Sequence, residues 1–435
     1  MKKHLFILAA VLTALVACNK PQSSFEPQNV VSGRSARVSL TLIGGGATKA
    51  LPVEADEAQV NTVDAFVFNS TGDLDAYGHY TTADFTTTAG VTTLNDNKKL
   101  ECTTGAGKIV YIIINGNDSN LEAGEVAFAS IQNEAALKAR IFKLEDNIQS
   151  SSLNNFQMIG KTAGTAQCTF KAGDNSVDVE VIRSVARVVI KKITKNFSNA
   201  GLATSELKVK NIYMSNAPGQ YAFGDVIDGV YTFSDASKSK ALAAAKWHNK
   251  YVPAVADPAT PASVAIEAAY DKWLNRGLAA PVVFGDNSGA AVSKTTEVES
   301  TFYVMPNDVA WGYDNDSNPA TPAIFGPVGG DTWSPRHTKL VIETEYAGKT
   351  YYYAIPIAGN GSGATYKKLG SAEDDGSAYA GIKANYSYEI NELVLTRLGS
   401  TNPDEPTVES NVNFNITVQP WNVVLLGNIS GVYEI

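Results

Sequence analysis

The sequence is poor in the residues that most active-site chemistry needs. Its 435 residues include three cysteines, four methionines, five tryptophans and four histidines. Cys18 ends an N-terminal apolar run, which leaves too few cysteines for the disulfide framework of a small secreted fold. The other two, Cys102 and Cys168, stand in the strand-like segments "LECTT" and "AQCTFKA" and read as buried small hydrophobes. Among His4, His79, His248 and His337 no pair lies four residues apart, so a zinc-protease helix is excluded. There is no G-x-S-x-G nucleophile elbow. Basic residues are also short, 35 Lys and Arg against 44 Asp and Glu. The net charge of −9 argues against nucleic acid as a partner and against electrostatic adsorption to anionic lipid.

Long apolar runs are scarce as well. The longest, "LFILAAVLTALVA", follows Lys2 and Lys3 and is too short to span a bilayer, which takes about 20 residues. A charged start, a short apolar stretch and small residues before Cys18 describe a secretory signal. Its ending, "LVAC", is similar to a bacterial lipobox, in which the cysteine becomes the lipidated first residue. Residues 1–18 are therefore expected to be a lipoprotein signal peptide outside the fold.

What is plentiful is Thr, Asn, Ser and Gly, with 44% hydrophobic and only 18% charged residues. That mixture predicts a mainly β architecture with a few helices and a large core. Residues 19–33 are a polar, proline-containing tether. In residues 38–43, Val38, Leu40 and Leu42 alternate with Ser39 and Thr41, the period of a half-buried strand. Three glycines, Gly44 to Gly46, break it, and Lys49–Ala50 lies in the stretch that follows. "VNTVDAFVFNSTGDL" reads as a strand ending in a turn, and "GKIVYIIINGND" as a buried strand with a turn at Asn115–Gly116. Residues 130–144 read as a helix capped by Ser130, and a second helix is expected over 265–274. A hairpin turn at 173–174 leads into a long strand in which Val177, Val179 and Val181 alternate. New strands begin after Arg183, which predicts two β-sandwich domains in tandem, 50–182 and 183–396. A polar linker then precedes a last strand whose apolar positions are Val412, Phe414, Ile416 and Val418.

Apparent motifs resolve into structure. "TTGAGKIV" and "EYAGKTYY" imitate a phosphate loop, but Cys102 and Glu343 stand where its first glycine belongs, so both read as turns at strand edges. "YDNDSNPATP" puts Asp314, Asp316 and Asn318 at calcium-loop spacing, with Pro319 and Phe325 where Gly and Glu should be. It reads as a solvated loop, and no metal or cofactor is implied. Trp247, Trp273, Trp311 and Trp333 fit a core as well as a sugar platform. No enzyme signature is present.

Taken in order, several segments resemble the major fimbrillins of type V pili. They are the lipobox at Cys18, the strand at 38–43, "CTTGAGKIVYIIINGN", "RSVARVVI", "TFYVMPND", "NYSYEINELVLTRLGSTNPDEPTVES" and "VQPWNVV". The resemblance implies two transthyretin-like β-sandwich domains and a surface fimbria built from lipoprotein precursors anchored in the outer membrane. It implies an N-terminal strand (Val38, Leu40, Leu42) removed by a trypsin-like protease. It implies a head-to-tail polymer of this chain, joined by a C-terminal donor strand (Val412, Phe414, Ile416, Val418) from residues 397–435. Anchor and tip subunits would be further partners. The family cuts after an arginine; here the loop offers Lys49 before Ala50, and Arg34 and Arg37 are read as preceding the strand. The linker 397–411, fully stretched, reaches about 50 Å. Two other readings compete: a fimbrial anchor or accessory subunit that keeps its first strand, and a surface glycan-binding lipoprotein using exposed tryptophans.

The lipobox reading is tested directly by metabolic labelling. Cys18→Ser is expected to abolish incorporation of a fatty-acid analogue, and undiminished labelling in that variant refutes the assignment.

Overall fold

The computed structural model describes residues 36–44, 59–88, 91–147, 156–162, 168–228, 247–252, 263–264, 266–267, 273–291, 301–307, 338–357, 382–403 and 412–420. The strands of its first half are β1 (Ala36–Gly44), β2 (Thr62–Phe68), β3 (Leu74–Thr81), β4 (Phe85–Thr88), β5 (Val91–Leu94), β6 (Leu100–Cys102), β7 (Gly105–Ile114), β8 (Ile141–Lys143), β9 (Met158–Lys161), β10 (Cys168–Phe170) and β11 (Gly173–Arg183). Those of the second are β12 (Ala186–Ile190), β13 (Lys192–Lys195), β14 (Leu207–Ser215), β15 (Ala217–Pro218), β16 (Gln220–Ala222), β17 (Trp247–His248), β18 (Tyr251–Val252), β19 (Ser263–Val264), β20 (Asn275–Phe284), β21 (Ser288–Ala291), β22 (Thr301–Val304), β23 (Lys339–Tyr346), β24 (Lys349–Pro356), β25 (Tyr386–Leu395) and β26 (Val412–Pro420). The described α-helices are short: α1 (Glu134–Lys138), α2 (Leu144–Asn147), α3 (Ala200–Ala203) and α4 (Phe223–Asp228).

The chain is mainly β, as its composition predicts. One ten-stranded sheet runs β3-β2-β7-β9-β11-β1-β5-β4, with β10 on β7 and β6 on β1. A six-stranded sheet (β21-β13-β25-β12-β22, with β26 on β25) and a four-stranded sheet (β20-β14-β23-β24) follow Arg183 in the chain. Patterning sets the faces. In β11, Val177, Val179 and Val181 are buried while Ser176, Asp178 and Glu180 between them are exposed. β2 and β7 are buried on both faces, which their nearly continuous apolar text requires. Asn115 ends β7 in the left-handed region (φ 56) and its side chain ties the turn. The amide accepts from the Asn61 and Thr62 N–H groups and donates to the Gln59 and Phe156 carbonyls.

Two cores result. One is built wholly from residues up to Val181 and includes Val38, Leu40, Leu42, Val110, Ile112, Cys102 and Cys168. The larger runs from Phe66 to Val412 and takes side chains from both sides of Arg183. At the junction, Phe156, Trp273 and Tyr303 pack as a mutual trio with ring centroids 4.9 to 5.2 Å apart. A short ribbon, β8 paired with β16, crosses the same junction, and Phe223 of α4 packs on Tyr111 and Phe142. The sheets thus divide where the sequence restarts its strands, while the interior is continuous across the division.

Three local expectations are corrected. Residues 130–144 are not one helix: α1 is capped by Asn133, whose side chain accepts from the Ala136 N–H, and β8 takes over at Ile141. Pairing of β8 with β16 outcompetes the helical period there. The turn at 173–174 does not close a hairpin, because β10 pairs with β7 while β11 pairs with β1 and β9. The linker is not free from its start. Gly399 lies so close to Tyr352 that a Cβ would meet the Tyr352 carbonyl at 2.2 Å, and Ser400 and Tyr352 exchange backbone hydrogen bonds of 2.7 and 2.9 Å. The Tyr353 hydroxyl donates to the Arg397 carbonyl at 2.6 Å. Residues 397–400 are therefore strapped along β24. The helix expected over 265–274 falls largely outside the described residues, and the loop at 314–325 does so entirely.

Cys102 and Cys168 are buried thiols, and burial pushes the Cys102 thiol up to about 12. Neither thiol is expected to react with a water-soluble disulfide reagent in the folded chain, and both should react in denaturant. Titration of thiols with and without denaturant checks this.

Candidate functional site

The distinctive arrangement in this fold is the seating of β1. It is held on both edges. One edge pairs with β11, parallel and in register from Ala36↔Gly173 to Gly44↔Val181. The other pairs antiparallel with β6 at its N-terminal end (Ala36↔Cys102 to Val38↔Leu100) and with β5 further on (Thr41↔Thr93, Leu42↔Thr92). Ala36, Val38, Leu40 and Leu42 are at most 1% exposed. A strand that merely decorated the sheet would occupy an outer edge; this one sits between others.

Charges fasten its beginning. Arg37 lies within β1, not before it, and is exposed on the outer side, where its guanidinium meets Asp174 at 2.7 Å. The Lys99 ammonium reaches the same carboxylate at 2.9 Å. These partners, Lys99 first, hold the Asp174 carboxyl below the usual carboxylate range, and the pairing raises the Lys99 ammonium in turn. Because Arg37 is hydrogen-bonded into a two-sided strand, a cut beside it would leave most of β1 in the sheet.

The last strand is seated differently. β26 pairs antiparallel with β25 of its own chain, from Tyr386↔Pro420 to Leu395↔Val412, with an irregularity between Ile390 and Leu393. Among the described residues β25 is its sole strand partner. Val412 is 1% exposed. Phe414, Ile416 and Val418 stand in register opposite Leu393, Ile390 and Tyr388. The spacer does not carry the strand away in the single chain; it brings the strand back to the margin of its own sheet. Cys18, Lys49 and Ala50 lie outside the described residues.

The remaining candidate groups are structural. The His79 Nδ1 lies 2.8 Å from the Asp64 carboxylate, to which the Tyr77 hydroxyl also donates at 2.7 Å. Burial raises the Asp64 carboxyl above its ordinary value, and these two partners partly offset that. His248 pairs with Glu267 at 3.1 Å, and burial lowers its imidazole. Among the described residues no group of three or more His, Cys, Asp or Glu could hold a metal ion. The imitation phosphate loops are turns at strand edges, as read: Gly105 and Gly107 have positive φ at the start of β7, and Ala347–Gly348 closes the β23–β24 hairpin with φ of 48° and 74°. Trp247 and Trp273 are buried, at 0% and 3% exposed, so they form no sugar platform. Trp311 and Trp333 lie outside the described residues. No described helix is long and apolar enough to cross a membrane.

Sequence reasoning identified the buried face of β1 but missed what surrounds it. Asp174, Lys99, Leu94 and Leu100 come from distant text, and the signal that could have found Leu94 and Leu100 is the Thr-rich, alternating stretch from Phe85 to Leu100.

Comparison with known proteins agrees with this architecture. The profile of the major fimbrial subunit protein (FimA) family matches residues 36–216. No curated protein matches the chain. Among solved structures, a fimbrilin from Porphyromonas gingivalis W83 superposes with a TM-score of 0.55 at 18% identity, over 91% of this chain and 99% of that one. A candidate cell adhesion protein from Parabacteroides distasonis ATCC 8503 superposes at 0.54 and 16% identity, over 90% and 100%. A second from the same strain does so at 0.50 and 15%, over 89% and 98%. At such identities the structures speak for the fold. Across residues 36–216, a stretch that opens on the first residue of β1, this chain matches the major fimbrial subunit protein (FimA) family, the kinship its ordered motifs resemble.

Proposed function

We propose that the chain is the stalk subunit of a cell-surface fimbria, exported as a lipoprotein, trimmed at Lys49–Ala50, and polymerised head to tail by strand exchange. In this reading it is organised as two β-sandwich domains, 50–182 and 183–396, and supports adhesion without catalysis. Anchor and tip subunits and a Lys-tolerant trypsin-like protease are its other partners. The observation that carries the reading is the contrast between the two strands. β1 is nine residues long, gripped on both edges, and buries positions 36, 38, 40 and 42. β26 is also nine residues long, carries apolar residues at 412, 414, 416 and 418, and is paired on one edge.

Removing β1 exposes the backbone of β11 and a groove from which Val38, Leu40 and Leu42 have gone. Each of those side chains contributes roughly 1.5–3 kcal/mol when buried. An open edge of that kind is a template for another strand. A β26 that leaves its own β25 for a neighbour's groove exchanges one ladder for two and fills apolar pockets at the same spacing. Pro420 has no N–H to give a ladder and so ends the insertable run. Repeating the contact is heterologous and does not close, which produces a filament.

Trimmed subunits beginning at Ala50 are mixed and scored by multimer ladders and electron microscopy. A charge in the middle of the inserted row would be buried without a partner, at a cost of several kcal/mol. Ile416→Asp is therefore expected to yield folded monomers that do not extend fibres, while Asn415→Asp, one position along, polymerises nearly as the parent does. If Ile416→Asp polymerises like the parent while its monomer melts normally, β26 is not the donor.

A further inference from the structure

Beyond its own pairing, β1 holds something else in place. The β4–β5 hairpin and β6 lie between Thr81, the end of β3, and Thr103. Among the described residues, β4 pairs only with β5, β5 otherwise only with β1, and β6 only with β1. Among the described residues no ladder joins this segment to β11, β9, β7, β2 or β3. Its apolar side chains, Leu94, Leu100 and Cys102, are at most 5% exposed, in the same core as Val38, Leu40 and Leu42.

The ends of the segment are fixed independently of β1. At one end Thr81 and Asp84 form a reciprocal capping box. At the other, Asp75 on β3 accepts from the Thr103 N–H at 3.1 Å and the Thr103 hydroxyl at 3.0 Å. The buried Lys108 ammonium braces both, 2.8 Å from Asp75 and 2.7 Å from Thr103. Between these two fixed points the described ties to the rest of the sheet that bypass β1 are the Lys99–Asp174 ion pair, the edge-on packing of Phe85 against Tyr80, with centroids 5.8 Å apart, and the approach of β6 to β3, which involves no ladder. An ion pair whose aspartate is 38% exposed is weak, because solvent screens it.

We propose that residues 82–102 are a hinged flap that closes on whichever strand occupies the β1 position, so that an incoming strand from a second copy of this chain is gripped on both edges. The proposal rests on the strand-exchange reading for the identity of that strand, but the dependence of the flap on β1 is a property of the single chain. With β1 gone, the flap loses every described ladder to the main sheet, and Leu94 and Leu100 lose Val38, Leu40 and Leu42 from their shared core. It stays tethered at Thr81 and Thr103 and is recovered when a strand enters. The far wall of the groove is then assembled by insertion, and the full set of ladder bonds forms only around a strand that reaches both β11 and the flap.

Hydrogen exchange followed by mass spectrometry tests this. In the full chain, Leu40→Ala weakens β1, and amides of residues 85–102 are expected to exchange about tenfold faster together with those of 36–44, while 63–68 and 109–114 change less than about twofold. If Leu40→Ala does not fold, Leu42→Val opens the same strand more mildly and is read in the same way. Residues 85–102 that keep the protection of 63–68 while 36–44 lose theirs overturn the flap. In chain trimmed to Ala50, the synthetic peptide VNFNITVQP is expected to restore protection to both 173–183 and 85–102. Protection of 173–183 alone overturns two-edged gripping. A peptide that protects neither tells against the strand-exchange reading, and the full-chain variant still decides whether the flap depends on β1.

Discussion

The first half of this fold depends on a parallel ladder between two stretches of chain more than a hundred residues apart, β1 and β11. Through that ladder the smaller core is completed, the apolar face of β11 is covered, and β5 and β6 acquire a strand to pair with. Parallel pairing of chain segments so far apart in sequence is entropically expensive to form. It is stabilised here by a row of fully buried side chains and, at its start, by a carboxylate that two cations share. The segment that supplies this ladder is the first described one, bordered by three glycines. The structure thus concentrates a large part of its cohesion in one nine-residue strand.

The second half obeys a different logic. Its sheets follow Arg183, yet the larger core is common property, with the Phe156, Trp273 and Tyr303 trio and the β8–β16 ribbon joining the halves. Among the described residues the two halves are therefore joined by packed aromatic rings and a backbone ladder rather than by a single connecting segment.

Much of this was legible in the residues, for identifiable reasons. Alternation such as that of Val38, Leu40 and Leu42, or of Val177, Val179 and Val181, reports one buried face, so strands with a single core side could be read directly. The buried cysteines were legible because each stands in strand-like text, "LECTT" and "AQCTFKA". What stayed hidden was pairing. The turn at 173–174 looks like a hairpin turn because proximity in sequence favours one, and only the tertiary contest among β7, β9 and β1 assigns β10 and β11 to different neighbours. The helix expected over 130–144 failed for the same reason, since Leu137 and Leu144 are both buried but on different elements. Arg37 was misplaced by a few residues, enough to hide that it is inside the strand and grips Asp174. The candidate removable and donor strands were visible as patterns; the proposed flap shows in the sequence only as a Thr-rich, alternating stretch that does not name its pairing partner.

The strap of residues 397–400 along β24 bears on the distance over which the last strand can act. Counted from Arg397 to Asn411 the spacer is long, but the chain is already committed to β24 through Ser400, and the described path continues to Pro403. From Pro403 to Val412 a fully extended chain covers only about 30 Å. While the strap holds, that radius, comparable to the diameter of one small domain, bounds Val412 at the start of β26, and about twice that distance bounds Pro420 at its end. It keeps the local concentration of the strand around its own molecule high, and it restricts any second seat to an immediate neighbour. Distance thereby becomes a selection rule: a groove whose near end Val412 cannot approach within that radius is invisible to a strapped strand however well its pockets fit.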